Sequence, residues 1–117
     1  MMRVSYGSRV QYSHRYQCRG DDSHIGSILC IGIGGVRALK ALGSEPAVFH
    51  LNEGHAGFVV LQRIRDLTEQ GVSFDAALQQ IRQTTVFTTH TPVPAGHDAF
   101  PFYLVEKHLA GAWGSLG

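Results

Sequence analysis

Charge, cysteine and long apolar runs are all scarce in this sequence. Charged residues make up 16% of the 117 residues, and the formal net charge is +1. Nucleic acids and anionic membranes are bound mainly through clustered positive charge, so neither is expected as a partner. The two cysteines, Cys18 and Cys30, show no CxxC or zinc-finger spacing, which favours a reduced, cytoplasmic setting. We also expect no apolar run to be long enough to span a membrane.

The N-terminal segment, residues 1–24, lacks the features of a secretory signal and of regular secondary structure. Its arginines are followed by no apolar segment of the kind that a signal requires. No periodicity of two or of 3.6 residues is present, so we expect this segment to be poorly defined. The sequence as a whole is 44% hydrophobic, enough for one modest core, which we place in residues 25–117.

Hydrophobic spacing predicts a first helix over residues 25–42, ended by Gly43. Several glycines interrupt its apolar face, and each costs about 1 kcal/mol of helix propensity. We expect them to be tolerated where another backbone packs closely. A short apolar run at 47–51 then predicts a buried strand.

Two further helices, a second strand and a last helix complete the pattern. Apolar residues recur at helical spacing over 56–67 and over 74–81, where Ser73 can cap the second of these helices. The β-branched run at 84–89 predicts a strand, and a helix follows from Pro101. Two strands joined by a helical crossover are normally parallel in one sheet, so the predicted fold class is α/β.

Polar side chains follow both predicted strands. Asn52, Glu53 and His55 come after the first strand, and His90 and Thr91 come after the second. Parallel strands end at the same edge of a sheet, where ligands of α/β proteins bind. Directed donors and acceptors of these types suit a ligand covered in hydroxyl groups. A plainer interpretation stays open: Asn52 and Glu53 can serve an ordinary helix start, and His90 can be an ordinary packed or solvated residue.

The loop at 91–97 combines two prolines with a glycine. Stiff proline segments hinged by glycine can form a gate over a site, and they can equally be simple connectors. His97 and Asp98 can form an orienting pair, but Asp98 is better explained as the cap of a helix starting at Phe100.

Two other kinds of site have partial support. The glycine-rich segment 32–37 resembles a dinucleotide-binding fingerprint with Glu53 at a plausible distance, but Arg37 stands at the third glycine position. Metal binding is possible by residue type alone, yet the spacing matches neither HExxH nor a finger pattern, so no metal site is predicted. The histidines concerned are His50, His55, His90 and His97.

Three ordered segments carry a resemblance to a known family. They read GIGGVRALKALG at 32–43, VFHLNEGH at 48–55 and VFTTHTPVPAGHD at 86–98. Together they resemble the bacterial and archaeal alpha-glucan phosphorylases, over roughly Ile25 to Gly111.

The resemblance implies a fold and a reaction. Phosphorylases of this family are two-domain GT-B enzymes that cleave α-1,4-glucans with phosphate and release glucose 1-phosphate. This chain would supply a partial Rossmann-like parallel sheet with flanking helices from the N-terminal domain, and would be inactive alone. The family's pyridoxal phosphate is attached to a lysine of the C-terminal domain, and no segment like that lysine motif occurs in this sequence. The implied partners are glucan, phosphate and the remainder of a phosphorylase chain.

The resemblance also implies roles for residues. The histidine matching His90 contacts the hydroxymethyl group of the reacting glucose, which makes His90 the catalytic candidate. Thr91 lies in the loop beside the acceptor sugars, and Glu53 and His55, with Asn52, lie toward the acceptor side of the cleft. In the family, phosphate supplies the proton, so these side chains are expected to bind and position.

Other functions remain open at this point. A glycogen or starch synthase would share the GT-B fold and the histidine at the strand end but use a sugar nucleotide. The PVPAGH loop at 92–97 favours phosphorylase. A non-catalytic half-domain that binds glucan or docks to a partner is a second class, and a small dinucleotide-binding domain is a third.

Overall fold

A computed structural model describes residues 3–5, 22–90, 92 and 99–111. Its regular elements alternate between strands and helices along the chain, as the sequence pattern predicts. In order they are β1 (Arg3–Ser5), α1 (Asp22–Leu29), a π-helical segment (Cys30–Gly34), α2 (Gly35–Ala41), β2 (Val48–Asn52), a 3-10 turn (Gly54–Ala56), α3 (Val59–Glu69), α4 (Phe74–Gln83), β3 (Thr85–Thr88) and α5 (Phe102–Leu109).

The three strands form a parallel sheet in the order β1–β2–β3. In the register of β2 and β3, Phe49 pairs with Thr85 and Asn52 with Thr88. The predicted α/β class and the predicted parallel pairing of these two strands are therefore correct. On the other side of β2, Val4 pairs with Phe49. The sequence did not predict β1, because a strand of three residues is too short to display a period of two.

Two described elements fall within the N-terminal segment 1–24. They are β1 and the first residues of α1, which begins at Asp22. Asp22 lies in the first turn of that helix, where a carboxylate interacts favourably with the helix dipole.

The predicted first helix forms, but with a π-helical segment between α1 and α2. A close backbone contact explains Gly32: a Cβ at this position would lie 2.8 Å from the Cβ of Phe58 and 2.9 Å from the Val59 nitrogen. In the described part of the chain no atom of another segment lies within 4 Å of a Cβ at Gly26, so close packing there does not explain that glycine. Of these two glycines, only Gly32 meets the expectation of close packing.

The stretch His24–Ala41 within this helix has the length and the mean hydropathy, 1.2, of a membrane-spanning segment. The sequence expectation that no apolar run reaches this length is wrong by that measure, because the π-helical segment keeps the helix continuous across the glycines. A core helix of a water-soluble protein passes the same test. Here Ile25, Ile28 and Val36 are buried against other parts of the protein, within a stretch of which 28% is buried.

Two apolar clusters hold the helices to the sheet and to each other. The first packs α2 and the start of α3 on one face of β2 and contains Val36, Phe49, Leu51, Ala56 and Val59. The second joins α1 to α5 and contains Ile25, Leu29, Leu104 and Leu109. At the rim of the second cluster, Asp22 accepts hydrogen bonds from Lys107 at 2.7 Å and His108 at 3.2 Å.

Arg63 fastens α3 to the sheet. Its guanidinium carbon lies 4.2 Å from the centre of the Phe49 ring, a cation–π contact. The same group donates to the hydroxyls of Thr84 and Thr85, both at 2.6 Å. Burial lowers the pKa of Arg63 from its usual value, but a guanidinium stays charged at neutral pH.

Helix boundaries follow the predicted signals with one displacement. The Ser73 hydroxyl accepts the N–H of Ala76 at 3.3 Å, which confirms the predicted cap of α4. Gly71, with φ of +90°, ends the segment after α3 as predicted. Helix α5 begins at Phe102, after Pro101, and not at Phe100. Asp98, its predicted cap, lies outside the described residues.

Candidate functional site

Strands β2 and β3 end side by side, which brings the two predicted polar segments to one edge. Asn52 pairs with Thr88 at the last register position. One residue further on, the Glu53 N–H donates to the Thr88 carbonyl at 2.8 Å. No strand lies between them, so the residues after β2 adjoin those after β3 directly. The predicted convergence at the carboxyl edge is correct.

Glu53 is the most constrained residue at this edge. Its φ of 63° and ψ of 177° place a non-glycine residue in a sparsely populated region of backbone conformation. Its carboxylate reaches across to the neighbouring strand end. Oε1 accepts the backbone N–H of His90, and Oε2 accepts the Thr89 hydroxyl at 3.3 Å. Glu53 therefore links the two strand ends through both its main chain and its side chain.

The plainer interpretation of Asn52 and Glu53 as helix-start residues is met in part. Glu53 is the N-cap residue of the 3-10 turn Gly54–Ala56, but no side-chain hydrogen bond caps that turn. Asn52 is the last residue of β2. Its Oδ1 is buried and has no hydrogen-bond partner among the residues that the structure describes. A buried acceptor without a donor costs about 1–3 kcal/mol, so this oxygen marks a position that a donor from elsewhere would satisfy.

A histidine–threonine pair lies beside Asn52. His50 Nε2 and Thr88 Oγ1 share a hydrogen bond of 2.7 Å. Side chains alternate along a strand, so His50 and Asn52 project from the face of β2 opposite to Phe49 and Leu51. Sequence reasoning considered His50 only as a metal ligand and missed this pair. The period of two from His50 to Asn52, together with the register to Thr88, is the signal that could have found it.

The two remaining histidines of the site differ in exposure. His55 belongs to the 3-10 turn and is half-buried, whereas His90 follows β3 and is exposed. Thr91 and the proline-rich loop at 93–98 lie outside the described residues, so the predicted gate stays a prediction. Within the ranges that the structure describes, no group of three or more His, Cys, Asp and Glu side chains could hold a metal ion.

Several similar sequences are named as phosphorylases. The maltodextrin phosphorylase of Thermococcus litoralis is 56% identical over 89 residues, which cover 76% of this chain. The glycogen phosphorylase of Mycobacterium tuberculosis is 52% identical over 97 residues, covering 77%. That of Aquifex aeolicus is 32% identical over 99 residues, covering 85%. The relationship to the alpha-glucan phosphorylases is confirmed.

This phosphorylase-related chain is short beside its relatives. It spans about 11% of the length of the Thermococcus litoralis and Mycobacterium tuberculosis enzymes. No family model matches it. No solved structure matches it either.

The glycine-rich segment of this phosphorylase relative does not have the geometry of a dinucleotide site. A dinucleotide fingerprint forms the turn between a strand and a helix. Here Gly32 and Gly34 lie in a π-helical segment, preceded by helix α1. The dinucleotide-binding alternative is therefore wrong. Arg37 instead donates through Nε to Gln62 at 3.1 Å, which joins α2 to α3.

Proposed function

We propose that this chain forms part of the sugar-binding cleft of an alpha-glucan phosphorylase, an enzyme that cleaves α-1,4-glucan with phosphate to give glucose 1-phosphate. The observation that carries this proposal is the direct contact between the Glu53 carboxylate and the His90 backbone at the carboxyl edge of the sheet. The printed names of the relatives support the substrate class, since maltodextrin and glycogen are both glucans.

The proposal includes a place in the larger fold. A parallel sheet with helices α2 and α3 on one face is what a partial Rossmann-like N-terminal domain of a GT-B enzyme would contribute. The remaining strands and the second domain would come from the rest of a phosphorylase chain. We propose a cytoplasmic setting for the enzyme, with neither nucleic acid nor a membrane as partner.

His90 is proposed to hydrogen-bond the hydroxymethyl group of the reacting glucose. Its exposed side chain, carried by a main chain that Glu53 holds in place, supports this role. Asn52, His55 and Thr91 are proposed to border the acceptor sugars. The unpaired Oδ1 of Asn52 supports this placement because a sugar hydroxyl is a suitable donor for it.

Pyridoxal phosphate, which the family uses, does not fit the residues present in this chain. The sequence has two lysines, Lys40 and Lys107. Lys40 lies 3.8 Å from Asp66 and Lys107 2.7 Å from Asp22, and both side chains are more than half exposed. A Schiff-base lysine requires a pocket that encloses the cofactor. We therefore assign the cofactor to the part of the enzyme beyond this segment.

The proposed function is tested by transplanting the chain. We would replace the matching segment of the Thermococcus litoralis maltodextrin phosphorylase by this sequence and measure glucose 1-phosphate release. The chimera is expected to be active, and His90→Ala is expected to reduce transition-state stabilisation by about 1–3 kcal/mol, the value of a hydrogen bond to substrate. Full activity of the His90→Ala chimera would remove His90 from the site.

A titration of the isolated chain with maltoheptaose separates the enzyme proposal from a purely binding role. Glucan binding by the isolated chain, together with an inactive but folded chimera, would favour a non-catalytic glucan-binding half-domain. His90→Ala serves there as the matched control for binding at the sheet edge.

A further inference from the structure

We infer that Glu53 is a positioning residue for His90. Its carboxylate accepts hydrogen bonds from the protein and does not bind a sugar hydroxyl. The inference rests on the proposed function, because it concerns how the proposed sugar-binding histidine is held. It differs from the role that family resemblance implies for Glu53, which is direct contact with the acceptor side of the cleft.

Both carboxylate oxygens of Glu53 are engaged by the end of β3. Oε1 accepts the N–H of His90, and Oε2 accepts the hydroxyl of Thr89. The Glu53 main chain is attached at the same place, since its N–H donates to the Thr88 carbonyl at 2.8 Å. Three consecutive residues of β3 and its exit are thus held by one residue after β2.

The backbone conformation of Glu53 supports a positioning role. A φ of 63° is unfavourable for any residue with a Cβ, and glycine would adopt it without strain. A glutamate at such a position must therefore supply something that glycine lacks. The contacts above identify it as the carboxylate bridge to Thr89 and His90.

The chemistry of the bridge requires a carboxylate with the reach of glutamate. It meets two donors, an N–H and an O–H, and a carboxylate offers two acceptor oxygens. Glutamine keeps one of the two acceptor oxygens, and its NH2 group can donate to the Thr89 hydroxyl, so it weakens the bridge. Glycine removes both acceptors, and would free the main chain of His90 while leaving the His90 side chain unaltered.

A double-mutant cycle in the chimeric enzyme tests the inference. Glu53→Gln is expected to lower kcat roughly tenfold, the effect of one lost hydrogen bond, with the KM for maltodextrin changed by less than about twofold. In a His90→Ala background the same substitution is expected to have almost no further effect, because the residue it positions is absent. Glu53→Gly is expected to behave like Glu53→Gln although it relieves the backbone strain. Glu45→Gln, at an exposed position, is the matched control and should behave as the unsubstituted chimera.

A second measurement does not depend on activity. Hydrogen–deuterium exchange of the His90 backbone amide, in the chimera and in the 117-residue chain, should be accelerated at least about tenfold by Glu53→Gly, which removes both acceptors, and unaffected by Glu45→Gln. If the unsubstituted chimera proved inactive, the proposed function would fail, and amide exchange would still decide whether Glu53 holds residue 90.

Two outcomes would overturn the inference while the proposed function stands. The first is a raised KM for maltodextrin at unchanged kcat after Glu53→Gln, with an effect that adds fully to that of His90→Ala; that result would identify Glu53 as a sugar ligand. The second is an exchange rate of the His90 amide that Glu53→Gly leaves unchanged.

Discussion

The two faces of β2 make different contacts. One face buries Phe49 and Leu51 under α2 and α3. The other carries His50 and Asn52, which are only half-buried, and the Oδ1 of Asn52 has no hydrogen-bond partner within the described part of the chain. We therefore expect stability to depend mainly on the first face and the proposed function on the second.

The largest expected effect concerns activity. The isolated chain contributes one side of the proposed cleft, and catalysis requires groups held in position from both sides. We expect no detectable glucose 1-phosphate from the purified chain with glucan and phosphate, and no absorbance of bound pyridoxal phosphate. Turnover by the isolated chain would show that the polar face is catalytically sufficient without the rest of a phosphorylase. The contrast between a covered apolar face and an incomplete polar face would then be wrong.

The apolar face should dominate stability. Leu51 is 2% exposed, and Leu51→Ala is expected to lower the free energy of unfolding by about 2–5 kcal/mol, because it removes buried methyl groups and leaves a cavity. Urea denaturation followed by circular dichroism measures this change. Leu42→Ala, at a residue that is 82% exposed, is the control and should change the unfolding free energy by less than about 0.5 kcal/mol. Equal effects of the two substitutions would contradict the assignment of the core.

Exposed apolar groups on β3 should cause self-association of the isolated chain. Val86 and Phe87 are 50% and 56% exposed, and β3 is the last strand of the described sheet on its side. Strand edges of this kind pair with other chains, and a lysine at the edge suppresses pairing. We expect aggregation that Val86→Lys reduces, as measured by analytical ultracentrifugation. A sharp, reversible and concentration-independent thermal transition of a monomer would argue against it.

The polar face should respond in the opposite direction to the apolar one. Asn52→Ala removes a buried acceptor that has no donor among the described residues. The free energy of unfolding of the isolated chain, measured in urea, is therefore expected to stay equal or to rise by up to about 1 kcal/mol. The same substitution in the chimera is expected to weaken maltodextrin binding. A loss of stability comparable to that of Leu51→Ala would show that Asn52 has a structural partner in the folded chain.

The smallest expected effect lies away from both faces, where α5 meets α1. Hydrogen bonds from Lys107 and then His108 lower the pKa of Asp22 below 3.8. A carboxyl group whose pKa is lower in the folded state stabilises that state at pH values above its pKa in the unfolded chain. This contribution is lost as the pH falls through its pKa in the folded state. The melting temperature should therefore drop more steeply below about pH 4 in the parent chain than in Asp22→Asn. Asp75→Asn is the control, and an equal pH dependence in Asp22→Asn would refute the pairing.

Much of this arrangement could be predicted from the sequence, because it depends on local periodicity. The helices, strands β2 and β3, the Ser73 cap and the meeting of residues 52–55 with His90 all follow from apolar spacing and the rule for parallel crossovers. The positive φ of Glu53 and the unpaired Oδ1 of Asn52 do not follow from any pattern. Each depends on which atoms of a distant segment pack beside the residue. The residues adjacent in the sequence carry no pattern that predicts those tertiary contacts.

The contact between Glu53 and His90 also has a consequence for the order of folding. The two residues are 37 positions apart, and helices α3 and α4 lie between them. Closing a loop of that length costs conformational entropy, whereas a helix forms from local contacts without closing such a loop. The bridge can therefore form only after the crossover has folded and β3 has aligned with β2. A chain arrested before that step would possess its helices but not its site, so the His90 amide reports on completion of the fold.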